Sequence, residues 1–337
     1  MDLNLTRKLE GFSDRTQWKH THWIPVVVVL AAVAGWQALT TFAGLPAFIL
    51  PSPAQVAVRF VTAIRDSSLL WHAAVTLSEV LLGLLAGTCS ATLLGYAVAK
   101  SRAFERLASP FLVASQAIPI VAIAPLLVIW FGQGMFSKIL ICGLIVFFPV
   151  LVNTVVGLRA VPRSLNELMR SLHASPWQTL RLLEIPAALP IFLGGLQIGA
   201  TLSVIGAVVG EFVGADRGLG FLINVGRGQY DTALVFVAVF TLIGMALSLY
   251  GMVIYLEHMN RYSSEIAQLL VRDGRNSKSL GAFLWNAVAN PAATFIYNYI
   301  FRLGFLDGRE GLLLHLNHSV YIHWKFIKAW WIAQGRE

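Results

Sequence analysis

Charge is scarce in this chain. Of 337 residues, only 12% are Asp, Glu, Lys or Arg, against 57% hydrophobic. The mean hydropathy is +0.69. Such a composition cannot cover its apolar surface with polar groups in water, which excludes a soluble globular domain and implies an integral membrane protein. Cysteine is almost absent: Cys89 and Cys142 are the only two, and both lie in apolar runs. That excludes a disulfide scaffold or a cysteine metal site and leaves packing residues. No G-x-x-x-x-G-K-[ST] loop occurs, so the chain has no P-loop signature for binding a nucleoside triphosphate. No Asp-x-Asp pair is present for a metal-bound sugar nucleotide. Ionisable groups are also rare inside the apolar runs, which argues against a standalone secondary transporter with its intramembrane charges and paired broken helices.

What is present is length of apolar run. Six runs can cross a bilayer of about 30 Å, at about 23–43, 75–99, 108–131, 137–158, 188–213 and 232–256. Spans of this length are helical, because a helix satisfies its own backbone. The first run is too long for the core of a cleaved signal, so it reads as a span. The fold class expected is an all-α membrane protein of six spans.

The net charge of +8 follows from where the basic residues sit. Arg7, Lys8, Arg15 and Lys19 precede the first span. Lys100, Arg102 and Arg106 follow the second, and Arg159, Arg163, Arg170 and Arg181 follow the fourth. Arg261 follows the sixth. Basic loops face the cytoplasm, so both termini are expected there. Glycines four apart, Gly83/Gly87, Gly195/Gly199 and Gly206/Gly210, let helix backbones approach within the bundle. Pro119, Pro125 and Pro149 are expected to kink or break spans three and four. Within the spans, Gln116, Asn153, Thr154, Ser203 and Glu211 are the candidates for lining a path. Of these, Glu211 is the one acidic residue singled out, either as a functional carboxylate or as a solvated group at the outer edge.

A polar stretch interrupts the apolar pattern: ELMRSLHASPWQTLRLLEIPAALP, residues 167–190. Ser164 and Glu167 have the spacing of a capping box, and Leu165, Leu168, Met169 and Leu172 form an apolar stripe. The first helix should stop near His173-Ala174. Ser175, Pro176 and Gln178 then open a second one, which Pro186 and Pro190 should end or redirect. Taken alone, such a hairpin suits either a lipid surface or a cytoplasmic partner.

The sequence resembles a family at this point. Glu167-Leu168-Met169, a residue at 173, and Ile185-Pro186 follow the loop of permease subunits in binding-protein-dependent ABC importers. ILPSPAQV (49–56), VTLSEVLLG (75–83), AIPIVAIAPLLVIWFGQGMFSKI (117–139), FFPVLVNTVVGL (147–158) and IGAVVGEFVGADRGLGFLI (205–223) are similar to the nitrate, sulfonate and taurine branch. The resemblance covers about residues 20–265. It implies a type I importer permease, which is not an enzyme. A partner ATPase would bind ATP and Mg, a periplasmic binding protein would deliver the solute, and two permeases would form an alternating-access path in the bacterial inner membrane. The branch carries small oxyanions and also some pyrimidine precursors, and the solute implied is a small oxyanion such as a sulfonate, taurine or nitrate. Hairpin 163–190 would be the coupling element, with Glu167, Arg170, Ser171, His173, Ala174, Ser175 and Pro186 as its contact residues. His173 departs from the family's Gly and Met169 from its small Ala. A His in the left-handed conformation of a helix-terminating Gly costs about 1 kcal/mol.

The organisation expected is a cytoplasmic tail (1–22), a permease domain (23–265), a linker (266–289) and an amphipathic tail (290–337) suited to a membrane surface. That last segment is similar to the end of family 2 glycosyltransferases of lipopolysaccharide core assembly, through RLGFLDGREGL and SVYIHWKFIKAWW. No catalytic domain accompanies it, so a glycosyltransferase-related fusion is only the alternative reading.

Overall fold

The computed structural model describes residues 23–44, 46–116, 119–274, 277, 279–301 and 308–333. The basic N-terminal residues Arg7, Lys8, Arg15 and Lys19 lie outside them, as does most of RLGFLDGREGL. Helices are α1 (Trp23–Phe42), α2 (Pro53–Arg65), α3 (Ser68–Lys100), α4 (Arg102–Gln116), α5 (Ile120–Phe131), α6 (Met135–Arg159) and α7 (Arg163–Ser171). They continue with α8 (Pro176–Phe212), α9 (Leu219–Gly228) and α10 (Thr232–Arg272). Then come α11 (Leu280–Leu284), α12 (Asn290–Ile296) and α13 (Gly308–Ala333), with π-turns at Trp285–Ala289 and Tyr297–Phe301. Among the described residues, α3, α6, α8 and α10 are long and apolar enough to cross a membrane, while α5 and the described part of α1 are shorter apolar helices.

The chain divides into two compact units. The first comprises residues 1–75 and 215–242. Trp36 anchors it: its Nε1 donates to Pro51 O (3.0 Å) and its ring stacks on Phe236 at 5.2 Å. The Gly218 amide donates to His72 Nδ1 (2.9 Å), and Arg59 pairs with Asp231 (2.7 Å).

The second unit comprises residues 76–214 and 243–337. Its centre is a seam between α6 and its neighbours α3 and α8. A Cβ on Gly83 would lie 2.2 Å from Cys142 Cβ, and one on Gly87 2.6 Å from Gly143 O. From the other side, a Cβ on Gly206 would lie 2.8 Å from Cys142 Cα, and one on Gly195 2.6 Å from Asn153 Cβ. The glycines therefore serve packing inside one chain. Leu84 and Leu94 of α3, Phe192 of α8 and the buried Val146, Val150 and Leu151 of α6 fill the space around the seam.

Three sequence expectations are corrected. The third apolar run is not one helix: α4 ends at Gln116 and α5 starts after Pro119, which takes an extended conformation (φ −68°, ψ 112°). Pro119 has no N–H to continue the ladder and biases the residue before it away from helix. The second hairpin helix does not end at Pro186 or Pro190. It runs without interruption into the span as α8, through a π-turn at Leu180–Glu184 whose wider ladder accommodates the prolines that follow. The first helix does not use the Ser164–Glu167 box. Pro162, with ψ 136°, already supplies the extended N-cap backbone, so Ser164 lies inside the first turn.

The C-terminal segment packs on its own helices and on the end of α10. Ser319 Oγ donates to Pro291 O (2.7 Å), and Phe283 meets Trp330 at 4.8 Å. Lys328 Nζ lies 2.8 Å from both Asn260 O and Asn260 Oδ1, 2.7 Å from Ser263 Oγ and 2.9 Å from Ser264 Oγ. Burial lowers its pKa to about 8 despite these acceptors.

Candidate functional site

The hairpin is built by two well-defined stops and starts. α7 closes in a Schellman motif: the Ala174 amide donates to Met169 O and the His173 amide to Arg170 O, both at 2.9 Å. His173 takes φ +53°, the left-handed conformation that the motif requires and that glycine adopts without strain. Ser175 then caps α8. Its hydroxyl accepts from the Gln178 amide (3.2 Å), while Gln178 Oε1 accepts from the Ser175 amide (2.7 Å), with Pro176 in the first turn. Of the two boxes expected from the sequence, this is the one that forms. Between these caps the hairpin presents Leu168, Leu172 and Trp177, which are 53%, 68% and 65% exposed. Glu167, Arg170, Ser171, His173 and Ser175 are exposed beside them, Ala174 is half-buried, and Pro186 is exposed further along α8.

The hairpin is fastened to the bundle at its base. Glu184, in the π-turn, is buried and pairs with Lys100 at the end of α3. Arg159, at the end of α6, forms two bonds to the Glu105 carboxylate (2.9 and 2.7 Å). That hydrogen bond holds the Glu105 carboxyl below its ordinary range. Neither pair was anticipated. The spacing of Lys100 and Glu184 along the chain gives no sign that they meet.

The opposite ends of the same helices hold a buried ionic cluster. Lys138 of α6 donates to Glu79 of α3 at 2.8 Å, with side chains only 4% and 2% exposed. Thr76, one turn before Glu79, donates to Glu211 Oε1 at 2.6 Å. Glu211 is fully buried, so it is not a solvated group at the outer edge. Reading Glu211 as the exceptional intramembrane charge is corrected as well: Glu79 and Lys138 share its surroundings. The signal was available, since Glu79 interrupts an apolar run and Lys138 lies four residues before Cys142.

The other path candidates fall on the seam. Asn153 Nδ2 donates to Pro149 O (2.8 Å) beside Gly195. Thr154 is buried against Gly95 and donates to Val150 O (2.7 Å). Ser203 is buried and donates to Ala200 O (2.7 Å). Gln116 is the last residue of α4, and its side chain lies outside the described residues. Among the described residues no group of His, Cys, Asp or Glu could hold a metal ion.

Long apolar helices packed along a common seam, with a polar hairpin emerging from one of them, define a multi-span membrane protein. The chain belongs to the family of inner membrane components of binding-protein-dependent transport systems, which it matches over residues 79–261. It is 49% identical over 237 residues to the riboflavin transport system permease protein RibX of Chloroflexus aurantiacus, covering 70% of this chain and 88% of that one. It is 37% identical over 218 residues to the formylaminopyrimidine transport permease protein ThiX of Halalkalibacterium halodurans (65% and 86%). With the taurine transport system permease protein TauC of Escherichia coli it shares 30% over 259 residues (74% and 94%).

The chain is thus a multi-pass inner-membrane permease component of an ABC importer and is not itself catalytic. Membership implies a binding protein and an ATPase as partners, and nucleotide is bound by the latter. The match also sets aside the secondary-transporter reading. It ends at Arg261, before the C-terminal segment.

Proposed function

We propose that two copies of this chain form an alternating-access path of the type I importer kind, with six spans, both termini in the cytoplasm, and hairpin 163–190 seated on the ATPase. The supporting observation is the continuity of α8. Its 37 residues extend about 55 Å, well beyond a bilayer core of roughly 30 Å. The partner-facing hairpin and a membrane span are therefore one helix, and a push on the exposed Leu172–Trp177 turn reaches the seam at Gly195 without crossing a loop. Glu167, Arg170, Ser171, His173, Ala174, Ser175 and Pro186 form the coupling surface in this reading. Asn153, Thr154, Ser203, Glu211 and Gln116 remain the candidates beside the path.

The solute we infer is a planar heterocycle rather than the oxyanion that the sulfonate and taurine branch suggested. The relatives whose names specify riboflavin and formylaminopyrimidine stand at 49% and 37% identity, and the taurine permease at 30%. Electrostatics favours the same choice. Among the described residues Lys138 is the only buried Lys or Arg, and Glu79 already neutralises it.

Two measurements test these readings. Co-purification of the ATPase with the wild type, and its loss with a Glu167→Ala, Leu172→Ala double variant, is the result expected for the coupling surface. Unchanged retention would refute it. Cells carrying the whole importer should accumulate labelled riboflavin or formylaminopyrimidine. Accumulation of taurine alone would restore the oxyanion reading.

A further inference from the structure

The first unit contains a cavity that the coupling hairpin and the seam do not explain. It has a volume of about 470 Å³ and lies between the α1–α2 connection, α2 and the α9–α10 turn. Its lining is mostly apolar, with Phe48, Gln55, Val58, Arg59, Tyr230 and Asp231 as the principal residues. The charge distribution assigns both connections to the outer face. Cavities of this size hold ligands of a few fused rings.

Three features point to the kind of ligand. Phe48 and Tyr230 are 53% and 75% exposed and meet edge to face at 6.3 Å, so the edge of one ring covers one face of the other and the remaining ring faces stay open. Tyr230 is held there by strained backbone. α9 ends in a Schellman motif, with the Asp231 amide donating to Gly226 O (2.8 Å) and the Tyr230 amide to Arg227 O (3.3 Å). The residue in the left-handed position, φ +57°, is therefore a tyrosine where glycine is unstrained. A bulky residue kept in such a conformation, with its ring solvent-facing, suits a binding role better than a folding one. Finally, Arg59 Nε is committed to Asp231 (2.7 Å), and Asp231 Oδ1 also accepts from the Leu234 amide (3.0 Å). The guanidinium is thus neutralised and fixed, on a residue that lines the cavity. A neutralised donor group beside aromatic faces favours a flat, uncharged ring with carbonyl or ring-nitrogen acceptors on its edge over an anion.

We propose that this cavity is an outer subsite where a planar heteroaromatic solute stacks on Tyr230, with Phe48 beside it and its acceptor edge toward Arg59, before it passes to the path. The proposal rests on the heterocycle reading of the solute and adds to it the residues that would select the ring.

The test uses the purified permease–ATPase complex without its binding protein, with riboflavin as the probe and its fluorescence quenching as the signal. Formylaminopyrimidine serves as competitor and taurine as control. Wild type should quench saturably and be displaced by the pyrimidine but not by taurine. Tyr230→Gly removes the ring and the backbone strain together, so it should weaken binding roughly tenfold, as loss of a stacking partner does, while its thermal stability holds or rises. Phe48→Leu should weaken binding in the same direction. If the importer carries riboflavin or the pyrimidine but the complex shows no saturable quenching, or Tyr230→Gly binds as tightly as wild type, the subsite is refuted and the heterocycle reading survives. If cells take up taurine and neither ring compound, both fall.

Discussion

Replacing Lys138 by methionine removes the cation that pairs with the buried Glu79 carboxylate. At 2.8 Å and an effective dielectric near 20, the Lys138–Glu79 attraction is about 6 kcal/mol. Desolvation of two fully buried ions costs several kcal/mol each, so the intact pair contributes little net stability. Breaking it is another matter. Lys138→Met leaves Glu79, and beside it the Thr76-bound Glu211, in a site that excludes water. The expected cost is about 3–5 kcal/mol. For a domain of this size that corresponds to a fall in Tm of roughly 10 °C. The double variant Glu79→Gln, Lys138→Met removes both charges and should recover most of the loss. Thermal unfolding of the detergent-purified chain, followed by tryptophan fluorescence, reads both. A single variant as stable as wild type would mean that water reaches the pair, and a double variant no better than the single would mean that the two charges are not coupled. Either result refutes the dry ionic cluster.

Adjacent glycines in α8 should respond in opposite directions. Gly194→Ala meets nothing within 4 Å and should stabilise by up to about 1 kcal/mol, whereas Gly195→Ala drives into Asn153 and should cost about 1–3 kcal/mol in the same melting assay. His173→Gly relieves the left-handed strain and should stabilise the hairpin by about 1 kcal/mol, with ATPase retention on a purification column equal to or above wild type. Docking of the C-terminal segment should tighten with pH. The docked Lys328 has a pKa of about 8 against an ordinary 10.5, so between those values the released segment binds more protons than the docked one. Chymotryptic cleavage after Trp331, normalised to an unstructured peptide, should therefore slow as pH rises through that window and stay level below it. Lys328→Met should flatten the profile.

Much of this architecture was legible in the linear order of residues, where the cause is local. The Ser175–Gln178 box and the left-handed turn at His173 depend on a few consecutive residues, and both are where the pattern put them. The Ser164 box failed for an equally local reason, because Pro162 two residues earlier already supplied the cap. Pro119 breaks its apolar run where its chemistry predicts, and the structure adds that the break separates two helices. What the pattern could not carry is pairing across the fold. Lys138 and Glu79 are 59 residues apart, and Lys100 and Glu184 are 84 apart. Each residue taken singly looks like a loop or boundary charge, and only its partner makes burial tolerable. The π-turn was equally hidden, since Leu180–Glu184 contains no residue that excludes an ordinary helix.

The seam between α3, α6 and α8 has a mechanical meaning. Interfaces slide through side chains that can change rotamer, and at the closest points of this one there is no room for them: backbone meets backbone at Gly87 and Gly143, and Gly206 rests on the Cα of Cys142. The Lys138–Glu79 pair and the Thr76–Glu211 hydrogen bond then join the three helices at one end, and the Lys100–Glu184 pair joins α3 to α8 at the other. They therefore behave as a single stiff beam, with the hairpin as its free handle. Bending is then expected outside the beam, at the break between α4 and α5, and at the wider but unbroken turn at Leu180–Glu184 where the handle joins it.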